Sequence, residues 1–422
     1  MLAQLKDRFE KFDNPFVRNL GWMGASGAVI RIFRLITTVG LARFLSPYDF
    51  GLAAIVLTTN EFVQVFSRNG IAAKLIQADE ADIEKLSQSA YWLGWLVFVA
   101  LFIMQCLAAF LIAWIYHDNQ IILPICLMAL NFFLIPIASV QAALIMRENR
   151  IKVFALINMI QITTDNLLSL ALAFGGWGMW AIVLPKILVC PIWVYIMLRN
   201  HSWRPKGFIT TEYWKDLFDF GRNVLGVELL KTLRSNLDYL IVGRFLGLQE
   251  LGIYYFAFNS GLGLSLGVIN AIGTSLFPYL CTVRSDLHQL WERYRNSLKM
   301  IALAIVPLVL LQSSLAPFYV PIVFGQKWVA AIPVLVLICL SAIPRPFADA
   351  TSQLLLAVNK SQIDFRWNLL FTGIFTLSLL IGVQWQSLGV AIAVLATHAV
   401  LLPLFVLWGT RYVFTPLHVQ QA

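Results

Sequence analysis

Long apolar stretches separated by short polar segments dominate the pattern of this chain. We count twelve such stretches, each long enough to cross the hydrocarbon core of a bilayer as a helix. The predicted spans are 21–45, 50–68, 89–116, 120–146, 153–175, 177–198, 222–246, 251–280, 297–319, 329–357, 366–384 and 387–410. The pattern therefore predicts an all-α polytopic membrane protein with about twelve transmembrane helices.

The chain begins with a different pattern, in which large apolar residues recur every three or four positions with charges between them. These residues are Leu2, Leu5, Phe9, Phe12 and Phe16. This spacing is typical of an amphipathic helix that lies on a membrane surface, with a soluble helical tail as the alternative. A similar pattern in the polar segment 199–221, with Tyr213, Leu217 and Phe220 on one face, predicts a second interfacial helix.

A weak internal repeat relates the two halves of the chain at an offset of 201 residues. The segment Arg43–Gly51 matches Arg244–Gly252 without a gap. Each half holds six predicted spans, so both halves enter the membrane in the same orientation and form a parallel repeat of two six-helix lobes. The expected organisation is an interfacial helix 1–20, an N-terminal lobe 21–198, a cytoplasmic linker 199–221, a C-terminal lobe 222–410 and a cytoplasmic tail 411–422.

Composition supports this class and sets the orientation. Hydrophobic residues make up 59% of the chain and charged residues only 13%, which excludes an ordinary soluble enzyme. The net charge of +9 does not indicate nucleic-acid binding, because most basic residues lie in loops between spans. These loops follow the even-numbered spans, so the positive-inside rule places both termini in the cytoplasm.

Two pairs of cations interrupt the apolar spans. Arg31 and Arg34 lie in the middle of the first span, and Lys231 and Arg234 repeat the spacing about 200 residues later. Each pair shares one helix face, and an arginine at the centre of a bilayer costs roughly 2.5 to over 10 kcal/mol. These faces should therefore meet water or protein, and two such faces together predict a cationic chamber. The alternatives are ion pairs with Glu61 or Asp238, and snorkelling of Lys231.

Acidic groups within the spans have two interpretations. Glu61 and Asp238 could bind a coupling proton or cation, or pair with the buried cations. Other polar groups in spans, among them Asp165, Lys186 and the pair Arg345 and Asp349, are expected to make helix–helix hydrogen bonds or ion pairs.

The repeated turn carries a further set of residues for which we predict a structural role. They are Arg43, Asp49, Gly51, Arg244, Glu250 and Gly252. An interfacial arginine followed by an acid that caps the next helix would fix the hairpin in each lobe.

The sequence shows no signature of an enzyme or of a cofactor site. There is no phosphate-binding GxxxxGK[ST] loop, no GxSxG or HExxH motif, and the five cysteines form no CxxC pair. We therefore expect no catalytic residues, no metal and no cofactor.

The turn motifs resemble those of a known family. The segment from Gly40 to Gly51 resembles the LARxLxPxDFG signature of bacterial polysaccharide flippases, and Asn236–Gly247 is similar to their second-lobe motif D-x-x-x-[IV]-G-R-x-L-G. The stretch from Phe66 to Gln77 also fits. These are the Wzx-type, PST-like members of the MOP superfamily.

The resemblance implies a V-shaped, two-lobe transporter in the bacterial inner membrane. Its cargo would be an undecaprenyl-pyrophosphate-linked oligosaccharide, moved from the cytoplasmic to the periplasmic leaflet by alternating access for synthesis of O-antigen, exopolysaccharide or capsule. The cationic chamber would hold the pyrophosphate through bidentate guanidinium contacts. Partners would be this lipid-linked oligosaccharide, membrane lipid, and polysaccharide polymerase and chain-length machinery, without nucleic acid. The alternatives are a drug or peptidoglycan-precursor exporter on the same fold, and a membrane-embedded glycan polymerase or ligase.

Overall fold

The structure, a computed structural model, describes residues 33–67, 74–76, 78–80, 82–148, 150–207, 213–284 and 286–420. Most of these residues are helical, and no strand occurs among them. The all-α prediction is therefore confirmed. The interfacial helix predicted for residues 1–20 lies outside the described residues.

Fifteen helices are labelled here in chain order, and short 3-10 or π turns join some of them. The helices are α1 (33–44), α2 (Pro47–Val65), α3 (Ile83–Tyr116), α4 (Ile122–Ala129), α5 (Asn131–Arg147), α6 (Ile151–Phe174), α7 (Trp180–Leu188), α8 (Cys190–Asn200), α9 (Trp214–Leu246), α10 (Leu248–Cys281), α11 (Leu287–Tyr319), α12 (Ile332–Ser341), α13 (Arg345–Ala357), α14 (Ser361–Gly382) and α15 (Gln386–Gln420).

Seven segments of the described chain are long and apolar enough to cross a membrane, judged by length and composition alone. One of them, Ser361–Thr415, contains all of α14 and most of α15. The chain is thus a multi-pass membrane protein, but these segments do not confirm the predicted count of twelve spans. The helix α9 runs without a break through residue 221, which is the predicted end of the linker.

The chain divides into two compact units. The first unit comprises Met1–Leu45 and Ile55–Leu233, and the second comprises Ser46–Ala54 and Arg234–Ala422. The start of α2 therefore belongs to the second unit, although it is an early part of the sequence. Apart from this segment, each unit is built from one half of the chain.

In the first unit, α1 packs along α6 through three successive contacts. The Thr37 hydroxyl donates to the backbone carbonyl of Asn166 at 3.2 Å, and the Phe44 and Phe174 rings lie 4.5 Å apart. Between them, Gly40 faces the Leu170 side chain so closely that a Cβ would clash. Because numbers increase together on both helices, α1 and α6 run parallel, and Arg34 lies one turn before Thr37.

The segment after α8 is fastened to the beginning of α3. The Trp203 indole N–H donates to Glu84 Oε2 at 3.1 Å, and Lys206 forms an ion pair with Glu84 at 2.9 Å. The Gln141 amide, on α5, donates to the Trp203 backbone carbonyl at 3.1 Å. The part of the predicted linker that is described therefore packs against the first unit.

In the second unit, an aromatic cluster forms part of the core. Trp328 is completely buried and stacks on Phe256, with ring centroids 3.9 Å apart. Phe50, from the start of α2, meets both rings edge-on at 5.1 and 6.1 Å. Burying three aromatic side chains removes several hundred Å² of apolar surface from solvent, so Ser46–Ala54 is firmly attached to this unit.

The two repeated turns form tight connections between helices. Ser46 and Asp49 cap α2 reciprocally: the Ser46 N–H donates to Asp49 Oδ2 at 2.9 Å, and the Asp49 N–H donates to Ser46 Oγ at 3.2 Å. Pro47 occupies the first position of α2, where a helix needs no N–H. In the second turn Gly247 alone separates α9 from α10, and its φ of +88° suits glycine.

Candidate functional site

The four residues predicted to bind pyrophosphate have different surroundings. Arg31 lies outside the described residues. Arg34 is exposed on α1 beside the exposed side chains of Leu35 and Ile36, and no carboxylate among the described residues contacts it. An exposed guanidinium on a helix of mainly apolar residues is suited to a ligand that supplies negative charge.

Lys231 and Arg234 make polar contacts within the protein. The Lys231 ammonium forms an ion pair with Glu228 at 3.2 Å, and its side chain is 62% exposed. The Arg234 guanidinium donates to the amide oxygen of Asn368 and lies 5.8 Å from the centre of the Phe371 ring. Because this pair is at i and i+3 on α9, both cations lie on the same side of the helix.

Asp238 is deeply buried, with an exposed fraction of 4%. Its carboxylate accepts a hydrogen bond from the Tyr254 hydroxyl at 2.8 Å and one from the Tyr239 backbone N–H at 3.0 Å. Two donors lower the cost of burying this charge, and Arg345 lies within electrostatic range of it.

These contacts belong to a larger group, which we call the second-unit charge cluster. Its members are Arg234 and Asp238 on α9, Arg345 and Asp349 on α13, and Asp364 on α14. The cluster holds two guanidinium groups and three carboxyl groups. It can therefore neutralise its own cations, and it has a carboxyl group in excess that could take up a proton or a cation.

Neighbouring polar groups anchor this cluster. The Ser352 hydroxyl donates to Asp364 Oδ1 at 2.6 Å, and the Asn368 amide donates to the Asp364 backbone carbonyl at 2.8 Å. Buried His398 contacts the Val394 carbonyl through Nδ1 at 2.6 Å, with the Phe371 ring 5.5 Å away. The cluster is thus held by α9, α13 and α14, and His398 of α15 packs against the Phe371 ring that lies beside Arg234.

Sequence reasoning found only part of this cluster. It named Arg345 and Asp349 as polar groups within a span but did not connect them with Arg234 or Asp238. Asp364 lay just before a predicted span and was not considered, and neither was Asn368. The spacing of four residues from Arg345 to Asp349 was the available signal, since it places both charges on one helix face.

Glu61, the other candidate for ion coupling, is exposed on α2. Among the described residues, no group of three or more histidine, cysteine, aspartate or glutamate side chains could hold a metal ion. All five cysteines are free thiols.

The turn residues differ between the two repeats. Arg43 and Arg244 are both exposed, and Asp49 caps its helix as described above. Glu250 instead accepts a hydrogen bond from the Ser387 hydroxyl at 2.6 Å, so it ties α10 to α15. Gly51 and Gly252 lie where the two turns meet: a Cβ at Gly51 would lie 3.3 Å from the Gly252 nitrogen and would overlap the Leu248 carbonyl oxygen.

One predicted polar contact between helices of the first unit is confirmed. Lys186 and Asp165 form an ion pair at 2.6 Å that joins α6 and α7. The Asn166 side chain instead donates within α6 to the Ile162 carbonyl at 2.7 Å, and only its backbone carbonyl accepts the hydrogen bond from Thr37.

Comparison with known proteins places the chain in a family. A model of the family described as "Polysaccharide biosynthesis protein" matches residues 40–333. The chain is 28% identical over 403 residues to the teichuronic acid biosynthesis protein TuaB of Bacillus subtilis (strain 168). The aligned region covers 93% of this chain and 81% of TuaB. It is 26% identical over 390 residues to the lipopolysaccharide biosynthesis protein WzxC of Escherichia coli (strain K12), covering 90% and 77%.

Solved structures show the same fold at low sequence identity. The lipid II flippase MurJ, in an inward closed conformation, matches with a TM-score of 0.72 and 13% identity, covering 92% of this chain and 87% of MurJ. An inward-facing multidrug resistance MATE family transporter of the MOP superfamily matches with a TM-score of 0.69 and 13% identity, covering 92% and 95%. The chain belongs to the polysaccharide biosynthesis protein family and has the fold of the MOP superfamily transporters.

Proposed function

We propose that this protein is a flippase that moves an undecaprenyl-pyrophosphate-linked oligosaccharide from the cytoplasmic to the periplasmic leaflet of the bacterial inner membrane. Family membership supports a role in polysaccharide biosynthesis, and the MOP fold supports transport. Both termini face the cytoplasm in this proposal, and the two repeats provide alternating access. No covalent step is required, so the protein would act as a transporter and not as an enzyme.

The observation that carries the proposal is the position of Arg34. A guanidinium exposed on an apolar helix, without a carboxylate contact among the described residues, needs an anionic partner if the helix spans a bilayer. A pyrophosphate provides such a partner, because its oxygens accept bidentate hydrogen bonds from arginine. Arg31 would act with Arg34, and Lys231 and Arg234 would provide the matching contacts from the second repeat.

The excess carboxyl group of the second-unit charge cluster supports a coupling role for Asp238. Asp238 lies within electrostatic range of Arg345, which in turn lies within range of Arg234, so its carboxyl group could take up a proton or cation when the phosphate leaves Arg234, and so link the two events. Glu61 is the equivalent candidate on α2. The proposal does not require coupling, since a concentration gradient of the cargo could also drive transfer.

A leaflet-accessibility assay in proteoliposomes tests the proposal. Purified protein is reconstituted with an undecaprenyl-pyrophosphate oligosaccharide, and transfer is measured as loss of the glycan from the accessible leaflet. We expect transfer by the parent protein and a reduction of about ten- to hundredfold in the Arg31→Ala/Arg34→Ala variant, the loss expected from one or two charge-assisted hydrogen bonds. Arg34→Lys should retain part of the activity, because it keeps the charge but loses the bidentate geometry.

Arg199→Ala is the matched control, since Arg199 is an exposed arginine that bonds to the exposed Tyr195 at the end of α8. Unchanged transfer in the double variant would show that Arg31 and Arg34 do not bind the pyrophosphate. No transfer by the parent protein with several glycans would contradict the proposed cargo and favour a drug or peptidoglycan-precursor exporter.

A further inference from the structure

Three helices of the first unit bring together a polar patch at membrane depth, which we call the Asn131 patch. It consists of Asn131 at the start of α5, Asp165 on α6 and Lys186 on α7. Lys186 Nζ lies 2.6 Å from Asp165 Oδ2, and Asn131 Nδ2 donates to the Lys186 backbone carbonyl at 3.4 Å. The patch is therefore continuous across all three helices.

The patch lies within three segments that can span a membrane, and Asn131 belongs to the first of them, Asn119–Arg147. Asp165 belongs to Lys152–Phe174, and Lys186 belongs to Trp180–Asn200. The Lys186 side chain is 42% exposed, and an ammonium directed into hydrocarbon would cost several kcal/mol, roughly 2.5–3.5 by insertion scales. This side of the unit therefore faces water or a polar ligand when the protein is in a bilayer.

Two acceptor atoms in the patch have no hydrogen-bond partner. Asp165 Oδ1 and Asn131 Oδ1 are both buried, and no donor among the described residues reaches them. Exchanging Oδ1 and Nδ2 of Asn131 by rotating the amide would not give Oδ1 a donor, because Oδ1 would then face the Lys186 carbonyl oxygen. Buried acceptors in native proteins nearly always have a donor, so a donor from outside the protein that displaces the side chains covering these two atoms would satisfy both.

The charge of the patch indicates the kind of donor. Asp165 neutralises Lys186, so the patch has no net charge with which to attract phosphate. It offers two acceptors and an ammonium that has donors left over, which together match a neutral molecule carrying several hydroxyl groups. An ion pair that only joined two helices would explain the contact between Lys186 and Asp165 but not the two acceptors.

We propose that the Asn131 patch binds hydroxyl groups of the glycan that the lipid carries, with Asn131 and Asp165 accepting hydrogen bonds and Lys186 donating one. This inference rests on the proposed function and assigns its sugar-binding residues. The parallel packing of α1 on α6 is consistent with it: Arg34 lies one turn before Thr37, which bonds to the residue next to Asp165. The pyrophosphate and the first sugars could then be held by the same unit.

Binding of two lipids distinguishes a glycan site from a structural ion pair. The probes are an undecaprenyl-pyrophosphate oligosaccharide and undecaprenyl pyrophosphate without sugar, and the measurement is Kd for the purified full-length protein in detergent. We expect Asn131→Leu and Lys186→Gln to raise the Kd of the glycan-bearing lipid about tenfold, which corresponds to the loss of one hydrogen bond. The Kd for undecaprenyl pyrophosphate should stay within about twofold, because that lipid does not touch the patch.

An exchange variant controls for folding. In Lys186→Asp/Asp165→Lys the ion pair can form again, so thermal stability should return to that of the parent protein while glycan affinity stays low. Recovery of glycan affinity in the exchange variant, or equal weakening of both lipids by the single variants, would show a purely structural pair and overturn the inference. A parent protein that binds both lipids equally well would overturn the inference alone, whereas one that binds neither would also overturn the proposed function.

Discussion

Gly51 and Gly252 occupy equivalent positions in the sequence repeat, and each packs against the turn that contains the other. A Cβ at Gly51 would overlap the carbonyl oxygen of Leu248, and a Cβ at Gly252 would overlap that of Pro47. Leu248 and Pro47 are themselves equivalent in the repeat. The two repeated turns therefore meet through a reciprocal contact, as expected for elements related by a local twofold axis.

Alanine at either glycine should destabilise the protein. The obstructing atoms are backbone carbonyl oxygens and not flexible side chains, so α2 and α10 would have to move apart, and we expect a cost of about 1–3 kcal/mol. Thermal unfolding in detergent measures the effect. Gly373→Ala is the control, since a Cβ there would meet nothing within 4 Å on α14, and it should be neutral or slightly stabilising. Equal stability of all three variants would contradict the close contact.

Removing the Tyr254 hydroxyl should destabilise the second unit through Asp238. In Tyr254→Phe the buried carboxylate loses a donor at 2.8 Å, which costs about 1–3 kcal/mol. Asp238→Asn removes the charge and should make the same hydroxyl less important. A double-mutant cycle on thermal stability should therefore show coupling between the two substitutions, and strictly additive effects would argue against the hydrogen bond.

The contact between Arg234 and Asn368 should depend on an acceptor at position 368. Asn368→Leu leaves guanidinium N–H groups unpaired, so we expect a loss of about 1.5–3 kcal/mol in stability. Asn368→Asp retains an acceptor and should lose less, despite the nearby carboxyl of Asp364. If both substitutions reduce stability equally, the amide oxygen is not the group that holds Arg234.

Capping of α2 should depend on the Ser46 side chain. Ser46→Ala removes the acceptor for the Asp49 N–H and the hydroxyl that bonds to its carboxylate, and it should cost about 1 kcal/mol. Ser46→Thr should restore most of the loss. Hydrogen exchange of the amides in the first turn of α2 provides the measurement, and the remainder of the helix should keep its protection because it is packed.

The long apolar stretches were sufficient to predict a helical membrane protein. Within a bilayer, helices are one of the few structures in which all backbone N–H and C=O groups form hydrogen bonds. The turn motif from Arg43 to Gly51 was equally informative, since it combines helix-capping residues with a family pattern. The number of spans was harder to predict. Breaks such as the one at Leu130, between α4 and α5, interrupt a helix without ending a span, and hydropathy alone does not separate these cases.

The second-unit charge cluster was only partly predictable, for a different reason. Its members on α9 are separated by more than a hundred residues along the chain from those on α13 and α14, as Arg234 and Asp364 illustrate. Sequence spacing shows which charges share a helix face, but not which faces meet. The two unpaired acceptors of the Asn131 patch could not be predicted either, because an unmet hydrogen bond becomes visible only when all neighbours are placed.

The aromatic contact between Phe50 and Trp328 has a consequence for how the protein is made. During translation Phe50 is synthesised long before Trp328. The start of α2 therefore remains without its native packing partner until Trp328 has been made. A C-terminal fragment produced alone would lack Phe50 and Pro47. The Trp328 ring and the backbone at Gly252 would then lose the neighbours that cover them. Co-expression with the N-terminal fragment should therefore rescue its assembly, and the start of α2 cannot complete its packing until Trp328 has emerged from the ribosome.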